Sequence, residues 1–297
     1  MSGGADPLSL PPEHRAERRP MIRPVFRFAL YAVSSVFLLA ALSWLVDRLG
    51  ITLPPESMLP ASFLVYELTV LVSAFVPAYA LSRIERYAFG EFGLPWRKAF
   101  RGSFWQGVAW GLAMAAAMML LIWALGGYSF GGIELGATRA LWNAAVWALV
   151  FLLVGVAEEF LFRGYSLFTL SSAINFWTAA AILSALFALS HIPNPGEKPF
   201  GVFQVFLIGM FFCLTLRRTG DLWFAIGAHA AFDWSESFLY SVPDSGAIAP
   251  GHLLHASLHG PDWLTGGSTG PEGSVMALFT IVAAFFVFSR VYRPREQ

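Results

Sequence analysis

Residues 104–125 contain no acidic or basic side chain, and they are one of several such runs in the chain. A stretch of about 20 apolar residues is what a helix needs to cross the hydrocarbon of a bilayer. Comparable runs lie at 28–46, 57–82, 140–157, 174–190, 199–216, 222–240 and 274–289. The second carries a single acid, Glu67, and the fourth runs into Glu158 and Glu159. In lipid the backbone must satisfy its own hydrogen bonds, so spans of this kind fold as helices. The expected fold is all-α, a polytopic transmembrane helix bundle of about eight spans. Composition agrees: 57% of residues are hydrophobic and 13% charged, against roughly 45–50% and 25% in soluble domains.

Zero net charge leaves no bulk attraction to polyanions, so nucleic acid is not an expected partner. Cys213 is the single cysteine, which excludes internal disulfides and cysteine-rich metal sites. Of the 19 basic residues, all but Arg48, Arg139 and Lys198 fall on one side of the expected spans. The positive-inside rule then places both termini in the cytoplasm. Residues 1–23 are expected to be a disordered cytoplasmic tail, and 24–297 a single membrane domain. The first apolar run, at about 19 residues with no small-x-small site after it, reads as a retained anchor. Residues 241–273 form the longest loop, on the outer side. Its His252, His255 and His259 read as loop histidines rather than metal ligands.

Polar groups inside spans are costly, and they normally mark a site within the bundle. Three clusters stand out. The fourth span ends in Glu158-Glu159-Phe160-Leu161-Phe162-Arg163. Residues four apart share a helix face, so Glu159 and Arg163 pair while Glu158 points elsewhere. A carboxylate left unpaired and partly desolvated suits general acid–base work. The fifth span ends in Phe187 and His191. The seventh carries His229 and Asp233 at helical spacing, with Glu236 one turn further on the same face. Each cluster alone has a bland reading: a snorkelling helix end, a histidine at a helix terminus, a satisfied structural pair.

In order and in this membrane context, E-E-x-x-x-R, F-x-x-x-H and H-x-x-x-N/D resemble the CPBP family. These are the CAAX-protease and bacteriocin-processing intramembrane endopeptidases, a family that includes the eukaryotic Ras-converting enzyme. The resemblance covers about residues 140–240 and rests on Glu158, Glu159 and Arg163, then Phe187 and His191, then His229 and Asp233. It implies a water-accessible catalytic cavity inside the membrane and hydrolysis of a membrane-associated peptide or protein. The expected location is the lipid bilayer of a bacterial inner (plasma) membrane. It further implies that Glu158 activates water and that His191 holds that water. His229 and residue 233 would stabilise the tetrahedral intermediate, and Glu159 and Arg163 would orient the site. The family's commonest residue at the last position is Asn. An ionised Asp233 cannot donate to an oxyanion, so its expected role is to orient and charge His229, which then donates.

Two histidines and a carboxylate can also bind zinc with an open position for water. No H-E-x-x-H pair occurs on one helix, and the resemblance implies a metal-independent glutamate mechanism with no cofactor. A non-catalytic scaffold or a proton-coupled transporter is the alternative of another class. Against transport, the sequence shows no repeated halves and few other polar residues in the spans beyond Glu67 and Gln204. One conflict is visible at this level. With alternating spans, Glu158 lies at one membrane face and His191 at the other, about 25 Å apart along a 17-residue helix. Either the fifth helix starts before residue 174 and tilts, or the Pro193–Pro199 stretch re-enters the membrane.

Overall fold

A computed structural model describes residues 22–54 and 59–293; the expected tail at 1–23 lies almost wholly outside them. Every expected span is helical. The helices are α1 (Pro24–Arg48), α2 (Pro60–Glu85), α3 (Gly102–Ala124), α4 (Ala137–Arg163), α5 (Tyr165–Ala173), α6 (Phe176–Ser190), α7 (Pro199–Thr219), α8 (Trp223–Trp234) and α9 (Val275–Val291). A π-helical turn, Ser235–Leu239, continues α8. Local chemistry sets several ends. Proline opens α1, α2 and α7, where its missing N–H costs no helical bond. The Asn175 side chain caps α6 by accepting from the Thr178 N–H at 2.9 Å, and Ser274 caps α9 through the Ala277 N–H.

Among the described residues, five helical stretches are long and apolar enough to cross a membrane: α1, α2, α3, the run Ala137–Ala173 and α7. The expected fifth and last spans are shorter, at 15 and 17 residues, and α8 has 12 before its π turn. The bundle is apolar outside and holds its polar groups inside. Val33, Phe37, Leu141 and Trp142 are each more than two thirds exposed, whereas Glu67, Glu159, Arg163, Gln204 and Glu236 are buried. That inversion of the soluble pattern is what a lipid surround requires.

The helix that carries His229 and Asp233 is clamped by glycines. A Cβ on Gly107 would lie 2.0 Å from the Phe224 carbonyl oxygen, and one on Gly111 would lie 2.2 Å from that of Ala228. Only hydrogen at these two positions lets α3 and α8 approach backbone to backbone, the usual device where no hydrophobic effect drives helices together.

Helix α5 was not foreseen, and it resolves the conflict between Glu158 and His191. The chain leaves α4 at Gly164 and immediately forms this nine-residue helix, about 13 Å long. α6 then begins at Phe176, later than expected rather than earlier, and its C-terminal end meets that of α4. Phe162 packs edge-on against Phe187 with ring centroids 5.1 Å apart. The loop at 241–273 is also more ordered than its composition implied. Its strand Ser257–Leu258 pairs antiparallel with Tyr128–Ser129. The Thr269 hydroxyl donates to the Gly196 carbonyl at 2.7 Å. This loop closes one end of the internal cavity.

Candidate active site

The two adjacent glutamates of α4 have different surroundings. Glu159 is fully buried and its Oε1 lies 3.1 Å from Nη1 of Arg163, also fully buried. The four-residue spacing makes this contact within one helix. Glu158, about 100° round the helix, has a side chain 25% exposed and lines a cavity of about 500 Å³. His191, His229 and Asp233 line the same cavity; Glu159 and Arg163 do not.

His229 ties the clusters together. Its Nδ1 lies 3.0 Å from Glu159 Oε1, so that ring nitrogen carries the hydrogen and donates to the carboxylate. Its Nε2 then faces two acids at longer range: Glu158 Oε2 at 3.7 Å and Asp233 Oδ2 at 3.5 Å. Phe212 stacks on the ring at 5.5 Å. The expected pairing of His229 with Asp233 is present as the longer contact, at 3.5 Å, and a closer one adds to it. The close hydrogen bond runs from His229 Nδ1 to Glu159 Oε1 across the α4–α8 interface, and that acceptor atom also receives Arg163. Asp233 sits beyond hydrogen-bond range, one turn along α8.

Phe187 explains the aromatic position in the second cluster. Its face carries the Arg163 guanidinium at 4.2 Å, its ring packs against His191 at 4.6 Å, and its carbonyl accepts from His191 Nδ1 at 2.8 Å. That bond places the hydrogen on Nδ1 and leaves Nε2 of His191 as the nitrogen free to act. Space for the arginine comes from α7: a Cβ on Gly209 would lie 2.6 Å from Arg163 Nη2.

Other polar groups reach the cavity without having been assigned to a site. Glu67 on α2 lines it, buried, with Oε2 lacking a hydrogen-bond partner. The lone acid in an otherwise apolar span was the available signal. Gln204, Asp244 and Glu272 line it too, the last two from the loop region, where composition gave no hint. Glu236 does not line the cavity. It is buried near Asp244 and Glu272, and these three form the metal-sized group of acids among the described residues. That group includes neither His191 nor His229.

These features define a class: a helical membrane protein with titratable side chains gathered around a cavity between its apolar helices. Residues 140–235 match the family described as type II CAAX prenyl endopeptidase Rce1-like. The resemblance carried by the three motifs is thereby borne out over the segment that builds the site. No curated protein matches the chain.

Proposed function

We propose that the protein is an intramembrane endopeptidase in which Glu158 activates the water that attacks a peptide bond. The observation that carries this reading is the division of labour on α4. Glu159 is consumed by Arg163 and His229, which leaves Glu158 as the carboxylate that faces the cavity. In this reading Glu158 takes a proton from water, with His191 Nε2 holding that water in place. His229, fixed through Nδ1 by Glu159 and doubly protonated beside Glu158 and Asp233, donates its Nε2–H to the oxyanion that develops on the scissile carbonyl. Asp233, with Oδ2 3.5 Å from His229 Nε2, orients and charges that ring from the next turn. Arg163 and Glu159 are positioning residues, since they act through His229 and Phe187. The mechanism needs no metal at Glu158.

The substrate is a membrane-associated peptide or protein. Val70, Met114, Met118 and Val154 line the cavity beside the polar residues, which suits an apolar group next to the cleaved bond, and the family description names prenylated substrates. Eight crossings with both termini in the cytoplasm of a bacterial inner membrane complete the proposal, on the positive-inside distribution. The test is Glu158→Gln, which keeps shape but cannot accept a proton. Hydrolysis of candidate membrane peptides by the purified variant, followed by mass spectrometry, should fall about 10²–10⁴-fold. Turnover at the wild-type rate would refute the assignment.

A further inference from the structure

At the loop end of the cavity a second set of acids converges from three separate segments. Glu236 comes from the π turn after α8, Asp244 from the loop that follows, and Glu272 from the single turn Pro271–Gly273 before α9. A π turn is uncommon and often marks a functional position; here its backbone bond runs from the Tyr240 N–H to the Ser235 carbonyl at 2.7 Å. One carboxylate oxygen of each acid lies within 4.8 Å of those of the other two.

Two of the acids are oriented by hydroxyl or backbone donors. Asp244 Oδ2 accepts from Ser237 Oγ at 3.0 Å, and Glu272 Oε1 accepts from the Ser245 N–H and Oγ at 2.7 and 2.8 Å. Glu236 has no such support. It is fully buried, and neither of its oxygens has a hydrogen-bond partner among the described residues. The charged groups that act on it, Glu272, Asp244 and Asp233, are all acids. A further neutral oxygen is at hand. Gln204 is buried and held by its Nε2 donating to the Glu272 carbonyl at 3.0 Å, which leaves its Oε1 without a partner. Buried carboxylates gathered in this way require a cation or shared protons to balance them.

We propose that Glu236, Asp244 and Glu272 bind one divalent cation of the hard, oxygen-preferring class, calcium, with Gln204 Oε1 as a neutral fourth donor. All the donors are oxygens, whereas zinc selects nitrogen and sulfur. Three carboxylate oxygens within 4.8 Å of one another can face a single ion, and calcium takes six to eight oxygen ligands in flexible geometry where magnesium demands a near-ideal octahedron. Donors spread over a π turn, a loop and a single turn also suit an ion that tolerates irregular coordination. The bound ion joins the end of α8 to the loop that closes the cavity and to the segment leading into α9. Asp244, Glu272 and Gln204 line the same cavity as Glu158 and His229, but the ion takes no ligand from those two, and its binding does not depend on the peptidase reading.

The test uses the purified full chain in detergent, stripped with a calcium chelator and titrated with terbium, a luminescent calcium probe sensitised by tryptophan. Trp234 directly precedes the π turn. Saturable emission at one ion per chain is expected, displaced by calcium at concentrations far below those needed with magnesium. Calcium should also raise the unfolding temperature of the stripped protein by several degrees. Glu236→Gln should abolish both responses, yet unfold in chelator at or above the temperature of stripped wild type, because an uncompensated buried charge has gone. Glu272→Gln should lose the same responses, and Asp47→Asn, an exposed acid on α1, should keep them. Wild type with neither saturable emission nor a calcium-dependent rise would overturn the proposal, as would a Glu236→Gln protein that responds like wild type. In either event the three acids are balanced by shared protons.

Discussion

Glu159→Gln removes one charge and almost no volume. The Oε1 of Glu159 receives Arg163 Nη1 at 3.1 Å and His229 Nδ1 at 3.0 Å. Charge-assisted hydrogen bonds contribute about 1.5–3 kcal/mol each, so roughly 3–6 kcal/mol rests on this oxygen. An amide oxygen still accepts, but it leaves Arg163 as a buried cation without its counter-charge, a change that typically costs about 3–5 kcal/mol. Nε and Nη2 of Arg163 have no hydrogen-bond partners among the described residues, so no second acceptor there takes the load. The Phe187 face at 4.2 Å is present before and after the change and offsets nothing. The expected loss is therefore about 3–5 kcal/mol, a large part of the roughly 5–15 kcal/mol that folded proteins have in hand. The assay is unfolding of Glu159→Gln, Arg163→Met and the double variant in detergent. The double variant removes both charges, so it should be less destabilised than the sum of the singles, by about 0.5–3 kcal/mol. Wild-type stability in Glu159→Gln, or strict additivity in the double variant, would refute the shared-oxygen account.

Asp233→Asn should retain substantial peptide hydrolysis, because an amide can orient or donate where the carboxylate stood, whereas Asp233→Ala should be much slower; equal rates for Ala and wild type would reduce the third motif to His229. A zinc-selective chelator should leave turnover unchanged, and metal analysis should find far less than one zinc per chain; stoichiometric zinc lost and regained together with activity would overturn the glutamate mechanism. Gly209→Ala should destabilise by about 1–3 kcal/mol and slow turnover, since its Cβ would press on Arg163 Nη2 at 2.6 Å; unfolding and rate measurements that both match wild type would exclude that contact as a constraint.

The split between Glu158 and Glu159 was legible in the sequence because it depends only on helical periodicity within α4. So was the grouping of His191 and His229 with the glutamates, through the ordered motifs. The hydrogen bond from His229 to Glu159 was not legible, since it crosses between helices 70 residues apart, and spacing on one helix favours the nearer Asp233. Helix α5 was hidden because residues 165–173 are too few for a span and too apolar for a loop. Asp244 and Glu272 were hidden for the opposite reason: they sit among glycines and prolines, where acids are ordinarily solvated. The close approach of α3 to α8 left a trace in Gly107-x-x-x-Gly111, a small-residue spacing that brings membrane helices together.

The Glu159–Arg163 pair closes within α4 itself, and this bears on how the chain is made. A lone charge at the centre of an inserting helix costs about 2.5–3.5 kcal/mol on translocon scales. Insertion of individual helices precedes their association, so a pair satisfied inside one helix lowers that cost before any neighbour arrives. His229 reaches Glu159 only later, when α8 has been synthesised and has docked against α3 and α4. During biogenesis Glu158 thus stands without its histidine until α8 docks, and the proposed hydrolytic centre comes together only then.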